Sequence, residues 1–277
     1  MSIRAKLMTA IASSMAALAL ATGALVRTSG EQSVHIAAQQ AISAAAQDFA
    51  ALERADVEKL DATLRALGGY PALLDASVAW DRARLQLVAE PIFAGLRENH
   101  DITHMYFLEP DPSRKVFLRV HRPDQFGDVV HRATLSRAID TLAIGAGKEL
   151  GQTAFALRVV RPWYRRDGSL VGYAELGEEI DHFVARLKQQ TGDDYGLLVE
   201  KVFLDKQAWA RSRAGRRNNW DDRPRTVVVN TTTSDDGIVG FDGDASSVPD
   251  KGLLLDQQER NGRILVRGIV PVKDAAG

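Results

Sequence analysis

Apolar positions recur at helical spacing through the first quarter of the chain. Ile42, Ala45, Phe49 and Leu52 are spaced 3-4-3, and Val57, Leu60, Leu64 and Leu67 repeat that spacing one residue out of phase. No Gly or Pro interrupts residues 31–67. The pattern predicts one nearly continuous amphipathic helix with Ile42, Phe49, Val57 and Leu64 on its buried side. Arg54–Glu58 and Asp61–Arg65 supply i,i+4 pairs on the wet face. Such a helix measures about 55 Å, which suits a stalk that could pair in a homodimer or pack on its own domain. Gly68-Gly69-Tyr70-Pro71 ends it. A second helix follows over 72–98 with Leu74, Val78, Leu85, Val88, Ile92 and Leu96 on one side and a kink at Pro91.

From His104 the pattern changes to runs of aromatic and β-branched residues bounded by turn chemistry. Strands are expected at 104–109, 115–121, 153–163 and 170–177, with a loop at 122–130 and a short helix at 133–143. Arg165-Arg166-Asp167-Gly168 reads as a hairpin turn, its Asp-Gly pair supplying the positive φ. A helix over 178–190 comes next, with Glu178 and Glu179 favouring the dipole of its first turn. Strands then helix describe an α+β fold with a small antiparallel sheet. Beyond Gly192, strands are expected at 195–203, 227–229 and 263–272, separated by a basic stretch and a polar loop at 231–251. The ending V-R-G-I-V-P-V-K-D-A-A-G echoes R-V-V-R-P-W-Y-R-R-D-G at 158–168, which suggests a second sheet of the same kind lacking its final strand.

Residues 7–26 carry no charge and follow Arg4 and Lys6. Twenty residues of helix span about 30 Å, the bilayer core, and the basic flank places the bulk of the chain outside the cytoplasm. A cleaved signal peptide ending near Ala19-Leu20-Ala21 competes with this anchor; both export residue 28 onward. The 277 residues carry no cysteine, which excludes disulfides, thiolate metal sites and cysteine nucleophiles. A net charge of −1 gives no global argument for nucleic acid. One local stretch departs from it: Lys206, Arg211, Arg213, Arg216, Arg217, Arg223 and Arg225 are interleaved with Trp209 and Trp220. A solvated helix face explains it most simply, and anionic lipid headgroups fit an exported chain better than nucleic acid does.

The runs F-L-R-V-H-R-P-D-Q-F-G-D at 117–128, L-R-V-V-R-P-W-Y at 157–164 and G-Y-A-E-L-G-E-E-I at 172–180 resemble the double Cache family. So do D-Y-G-L-L-V-E-K-V-F-L-D at 194–205 and N-W-D-D at 219–222. These are extracytoplasmic sensor domains of bacterial histidine kinases, chemoreceptors and diguanylate cyclases. The resemblance covers roughly 30–277. It implies a long first helix, then two PAS-like antiparallel sheets with flanking helices, the first being the ligand binder. The expected organisation is an anchor or signal peptide at 1–27, a stalk helix at 28–71, a membrane-distal PAS-like domain at 72–191 and an incomplete membrane-proximal one at 192–277. A bacterial inner-membrane receptor with its bulk in the periplasm follows; a stand-alone exported structural or partner-binding protein is the alternative.

Strand alternation offers a pocket independently. Phe117, Arg119 and His121 share one face of their strand; Leu157, Val159, Arg161 and Trp163 share another, and Val171, Tyr173 and Glu175 a third. If these faces converge, Arg119, His121, Arg161, Trp163, Tyr173 and Glu175 line one ligand-binding cavity, with Arg clamping a carboxylate and aromatic walls excluding water. Pairing of Arg119 with Glu175 is the bland reading of the same residues. No nucleotide loop is present, Gly145-Ala146-Gly147-Lys148 being a near miss, and no nucleophile elbow. His100 and His104 would not share a helix face, and Asp242, Asp244, Ser246 and Asp250 miss calcium-loop spacing. Neither catalytic residues, metal nor cofactor are expected.

Overall fold

The computed structural model describes residues 3–110, 113–150, 155–213, 215, 217–235, 237, 239–260 and 263–277, apart from the side chains of 3–29, Glu31, Asp181, Arg260 and Arg263. The first helix, α1, runs Ile3–Gly68. No helix among the described residues is long and apolar enough to cross a membrane. The span expected at 7–26 falls on residues whose side chains lie outside that description. The chain divides into two compact units, one of Met1–Ala46 with Ser246–Pro271, the other of Gln47–Ala245 with Val272–Gly277.

The larger unit is built on one five-stranded antiparallel sheet. Its strands are β1 (His104–Leu108), β2 (Val116–Arg119), β3 (Gly145–Leu150), β4 (Phe155–Tyr164) and β5 (Leu170–Glu179), in the order β2-β1-β5-β4-β3. The β4–β5 hairpin turns as its sequence predicts. Gly168 adopts φ 84°, and the Asp167 carboxylate accepts from Ser169 N at 2.8 Å. Helices α1, α2 (Pro71–Val78), α3 (Arg82–His100) and α5 (Asp181–Thr191) supply one hydrophobic core with the sheet. Leu60, Leu64, Leu73, Leu85 and Phe183 are at most 4% exposed there, and Phe49 and Val57 pack against it. The stalk stripe is therefore absorbed by the domain's own core. The opposite sheet face holds a smaller cluster under α4 (Ala133–Thr141), where Tyr106, Leu108, Val160 and Tyr173 meet Leu135 and Ala138.

Two sequence expectations give way to local chemistry, and one unassigned stretch gains a strand. The helix predicted over 72–98 is two helices, because Trp80 turns to φ 51° and Asp81 caps α3 by accepting from Arg84 N at 3.0 Å. Pro91 stays inside α3. Glu178 and Glu179 end strand β5 and do not begin α5; with no apolar alternation to mark the boundary, their carboxylates looked like first-turn residues. Gly145–Leu150, a stretch to which the sequence pattern assigns no element, is an edge strand. A Cβ on Gly145 would stand 1.9 Å from the Thr134 carbonyl oxygen, so that glycine lets α4 lie directly on β3. The glycines of the near-miss nucleotide loop thus serve packing. Gly145→Ala is expected to cost about 1–3 kcal/mol or more, seen as a lowered thermal midpoint, because the clash is with backbone. An unchanged midpoint would mean α4 docks otherwise.

Beyond α5 the described residues form two separate antiparallel pairs where a second PAS-like sheet was expected. Strands β6 (Gly196–Glu200) and β7 (Thr226–Thr231) pair in the larger unit, and α6 (Lys206–Ser212) lies between them in sequence. Strands β8 (Leu253–Arg260) and β9 (Arg263–Ile269) pair in the smaller unit. There, side chains at Gly252 or Gly268 would press on Ile42 of α1 at 2.4 Å.

Candidate functional site

Register assembles the site on the sheet face under α4. Tyr106 of β1 stands opposite Arg119 of β2 and Glu175 of β5, which in turn stands opposite Val160 of β4. Directly paired residues point to one face. Arg158, two residues before Val160, shares it. Arg132, at the N-cap position of α4, comes down from above. The guanidinium carbons of Arg132, Arg119 and Arg158 lie 4.8, 5.5 and 5.7 Å from the Tyr106 ring centroid. One phenol ring thus has three cations around it.

Glu175 is fully buried and takes two of these cations. Arg132 donates to both its oxygens at 2.6 Å, and Arg158 donates to Oε1 at 2.6 Å. Burial opposes ionisation of Glu175, but the two guanidiniums outweigh it and hold the carboxyl below its usual range. Glu149 is the next acid, 3.8 Å from Arg132 Nε, and accepts from Thr134 N and Oγ1 at 2.8 Å each. Burial pushes its pKa up. Arg119 is held differently. It donates bidentately to Asp128 at 2.7 and 2.6 Å, and to the Gln125 carbonyl at 2.8 Å. Its side chain is 12% exposed, whereas that of Asp128 is 52% exposed. Hydrogen bonding within the pair raises the Arg119 pKa and lowers that of Asp128.

A cavity of about 770 Å³ opens over this floor, lined by Arg119, Arg132, Arg158, Glu149 and the loop from Asp124 to Ala133. Of the six expected ligand residues, Arg119 alone lines it. Glu175 lies beneath it as the anchor of Arg132 and Arg158. Tyr173 is buried farther along the same face, in the cluster under α4. His121 sits beyond the end of β2, its ring 4.9 Å from that of His104 and 4.8 Å from Tyr106. Arg161 and Trp163 lie on the other face: Arg161 pairs with Asp61 of α1 at 2.5 Å, and Trp163 packs edge-on against Phe107 in the helix-side core. The register Arg161↔Ala174 separates them from Tyr173 and Glu175, so the three strand faces do not converge. Phe117 also departs from simple alternation. A bulge between Phe107 and Leu108 turns it to the helix side, edge-on to Trp80 at 4.7 Å.

Comparison with known proteins agrees with this architecture. A family model described as the double sensory domain of two-component sensor kinases matches residues 37–267. The chain belongs to that family. No curated protein matches the sequence. The chain is similar to several solved structures at low identity. The ligand-binding domain of the Campylobacter jejuni chemoreceptor Tlp3 in complex with L-valine is 12% identical, with TM-score 0.48, over 86% of this chain and 88% of that one. The periplasmic domain of Vibrio cholerae LuxQ is 14% identical, with TM-score 0.44, over 82% and 95%. The E. coli DcuS sensor domain is 20% identical, with TM-score 0.38, over 51% and 99%.

This double sensory domain carries a second charged cluster where α1 meets β5 and α5. Asp56, Glu178 and His182 bring ligand-type atoms within 4.8 Å of one another. Lys59 stands 2.5 Å from Glu178 and 3.3 Å from Asp56, and Arg186 stands 2.9 Å from Asp56. These side chains supply the positive charge such a group needs, so the cluster reads as an ion network and not as a metal centre. Burial pushes Glu178 up to about 7, while Asp56, hydrogen-bonded by His182 and beside Lys59, ionises well below the usual range despite its own burial. Glu178 follows Glu175 by three residues on β5 and faces the other way. One strand therefore carries both the floor of the cavity and the ion network on the stalk.

Proposed function

We propose that this double sensory domain is the extracytoplasmic sensing module of a bacterial signal-transduction receptor, anchored through residues 7–26, and that its cavity takes a small anionic organic ligand. The observation that carries the ligand reading is a largely buried guanidinium in the cavity wall, that of Arg119, whose carboxylate partner is half-exposed. Arg132 and Arg158 share the Glu175 carboxylate, and Glu149 stands 3.8 Å from Arg132, so these two cations are already compensated. Among the described residues, the ion-pair partner of Arg119 is the half-exposed Asp128 of the loop. A ligand carboxylate can take the Asp128 position on Arg119 bidentately without leaving a buried charge unpaired, since Asp128 is free to return to water. Phe126, Val129 and Leu150 in the lining supply apolar surface for the organic part of the ligand.

Binding there would act on β5 through Glu175 and reach α1 through Glu178 and Lys59, favouring one of two packings of the stalk. A homodimer through the stalk would use the other face of α1, because Leu52, Leu60, Leu64 and Leu67 are spent in the chain's own core. No catalytic step is proposed for the module. A thermal-shift screen against small carboxylates and amino acids tests the reading; a ligand held a hundredfold above its Kd adds about 2.7 kcal/mol. Arg119→Ala should abolish the shift given by any hit, while Arg122→Ala, outside the cavity, should leave its affinity within a few-fold. Full binding by the Arg119 variant would exclude that residue as the anchor.

A further inference from the structure

Between Glu200 and Arg225 the chain carries eight Lys and Arg against four Asp and Glu, although its total charge is −1. The 3-10 turn Lys201–Phe203 projects from this basic segment. Val202 is 80% exposed and Phe203 68%, and among the described residues they are the only two large exposed apolar side chains adjacent in sequence. The turn is braced. Lys201 N donates to the Arg225 carbonyl at 2.8 Å and Leu204 N to the Lys201 carbonyl at 3.0 Å. The Lys201 ammonium donates to the Arg223 carbonyl and lies 5.5 Å from the Trp220 ring centroid, with Lys206 on the same ring at 6.0 Å. Trp209, the other tryptophan of the stretch, is buried against Arg213.

We propose that Val202 and Phe203 form an apolar tip that inserts into an anionic lipid surface, with Lys201, Lys206 and Arg225 as its cationic collar. A protein partner is the alternative occupant, but two side chains are far short of the roughly 1,000 Å² that a specific protein interface buries. They suffice for the shallow insertion of interfacial segments, where a few apolar groups and nearby cations add. The cations are half-exposed or more at Lys206 and Arg225, whose partners Asp221 and Glu200 stand at 3.1 and 3.8 Å, so lipid phosphates can compete for them. This surface is separate from the ligand cavity and stands or falls independently of it.

The cysteine-free chain makes the test direct. In the full-length protein, Phe203→Cys carries an environment-sensitive fluorophore, and Leu87→Cys, at a position 75% exposed on α3, carries the same label as control. Each is mixed with phosphatidylcholine vesicles or with 70:30 phosphatidylcholine–phosphatidylglycerol vesicles. The label at 203 should shift to the blue on the anionic vesicles only, and the label at 87 on neither. Adding Lys206→Glu and Arg225→Glu should lower the lipid-bound signal at 203 about ten-fold or more. A label at 203 that stays water-exposed on both membranes overturns the proposal. So does a blue shift without vesicles that grows with protein concentration, which would assign the tip to a second copy of the chain. Equal shifts at 87 and 203 would also overturn it, as general adsorption.

Discussion

Glu175→Gln should destabilise the larger unit by about 3–5 kcal/mol, the largest loss expected from any single substitution near the cavity. The change keeps the volume and removes the charge. Arg132 and Arg158 then remain buried, 17% and 6% exposed in their side chains, with no carboxylate between them. A domain with about 5–15 kcal/mol in total would lose a large part of its stability. Chemical unfolding at pH 7 measures it. The cost should be that of uncompensated charge and not of the pair itself, so Glu175→Gln combined with Arg158→Met should recover part of the loss. A single-variant loss below about 1 kcal/mol would show that Glu149 or water takes over the two guanidiniums. The same variant bears on sensing, because it frees Arg132 and Arg158 toward the cavity.

The residues most exposed to misreading were those whose face depends on pairing partners far away in sequence. Alternation along β4 is plain in A-L-R-V-V-R-P-W-Y, but nothing local says which parity meets α4 and which meets α1. The register with β5 decides it, and decides for Arg158 over Arg161. Arg119 and Glu175 were legible as one-face residues of their own strands, and they stand across Tyr106 from one another; yet Arg119 pairs with Asp128, inside the segment read as loop. Arg132 and Glu149 carried no signal, since a residue at a helix N-cap and another on an unrecognised edge strand acquire meaning only once α4 docks on Gly145. The stalk helix, the hairpin at Asp167-Gly168 and the α+β sheet followed from spacing and turn chemistry, which are local. The second sheet rested on the family resemblance, supported by a weak echo of one strand sequence, and 263–269 pairs with 253–260.

Acidification from pH 6.5 to 4 should cost the domain about 3 kcal/mol or more, and His104 with His121 should account for it. The two rings stand 4.9 Å apart between β1 and the end of β2, with Tyr106 and Phe93 beside His121. Thr103 Oγ1 lies 2.8 Å from His104 Nδ1, and the Met105 backbone lies 3.3 Å from His121 Nδ1. Burial, reinforced by Arg158, lowers the His104 pKa to about 2; burial also lowers that of His121 to about 4, against the pull of its Met105 hydrogen bond. Both folded values lie below the unfolded one, so the unfolded chain takes up protons near pH 6.5 that the folded chain refuses. The stability these rings contribute is complete above that pH and is lost as pH falls. Each can cost about 1.4 kcal/mol per pH unit over that window. Glu178, raised to about 7, acts in the opposite sense: its contribution is present at low pH and is lost as pH rises through 7, so it offsets one of the two histidines. His182, held protonated by Asp56, adds to the loss on the alkaline side. Unfolding midpoints followed from pH 4 to 8 should therefore peak near neutrality and fall on the acid side by the net of two histidines against one glutamate. Replacing both rings, as His104→Gln and His121→Gln together, should remove the acid fall and expose the descent between pH 4.5 and about 7 that Glu178 gives. Ring resonances of both histidines should remain those of neutral imidazole at pH 5. A protonated ring at either position at that pH, or an acid fall unchanged in the double variant, would transfer the effect to other groups.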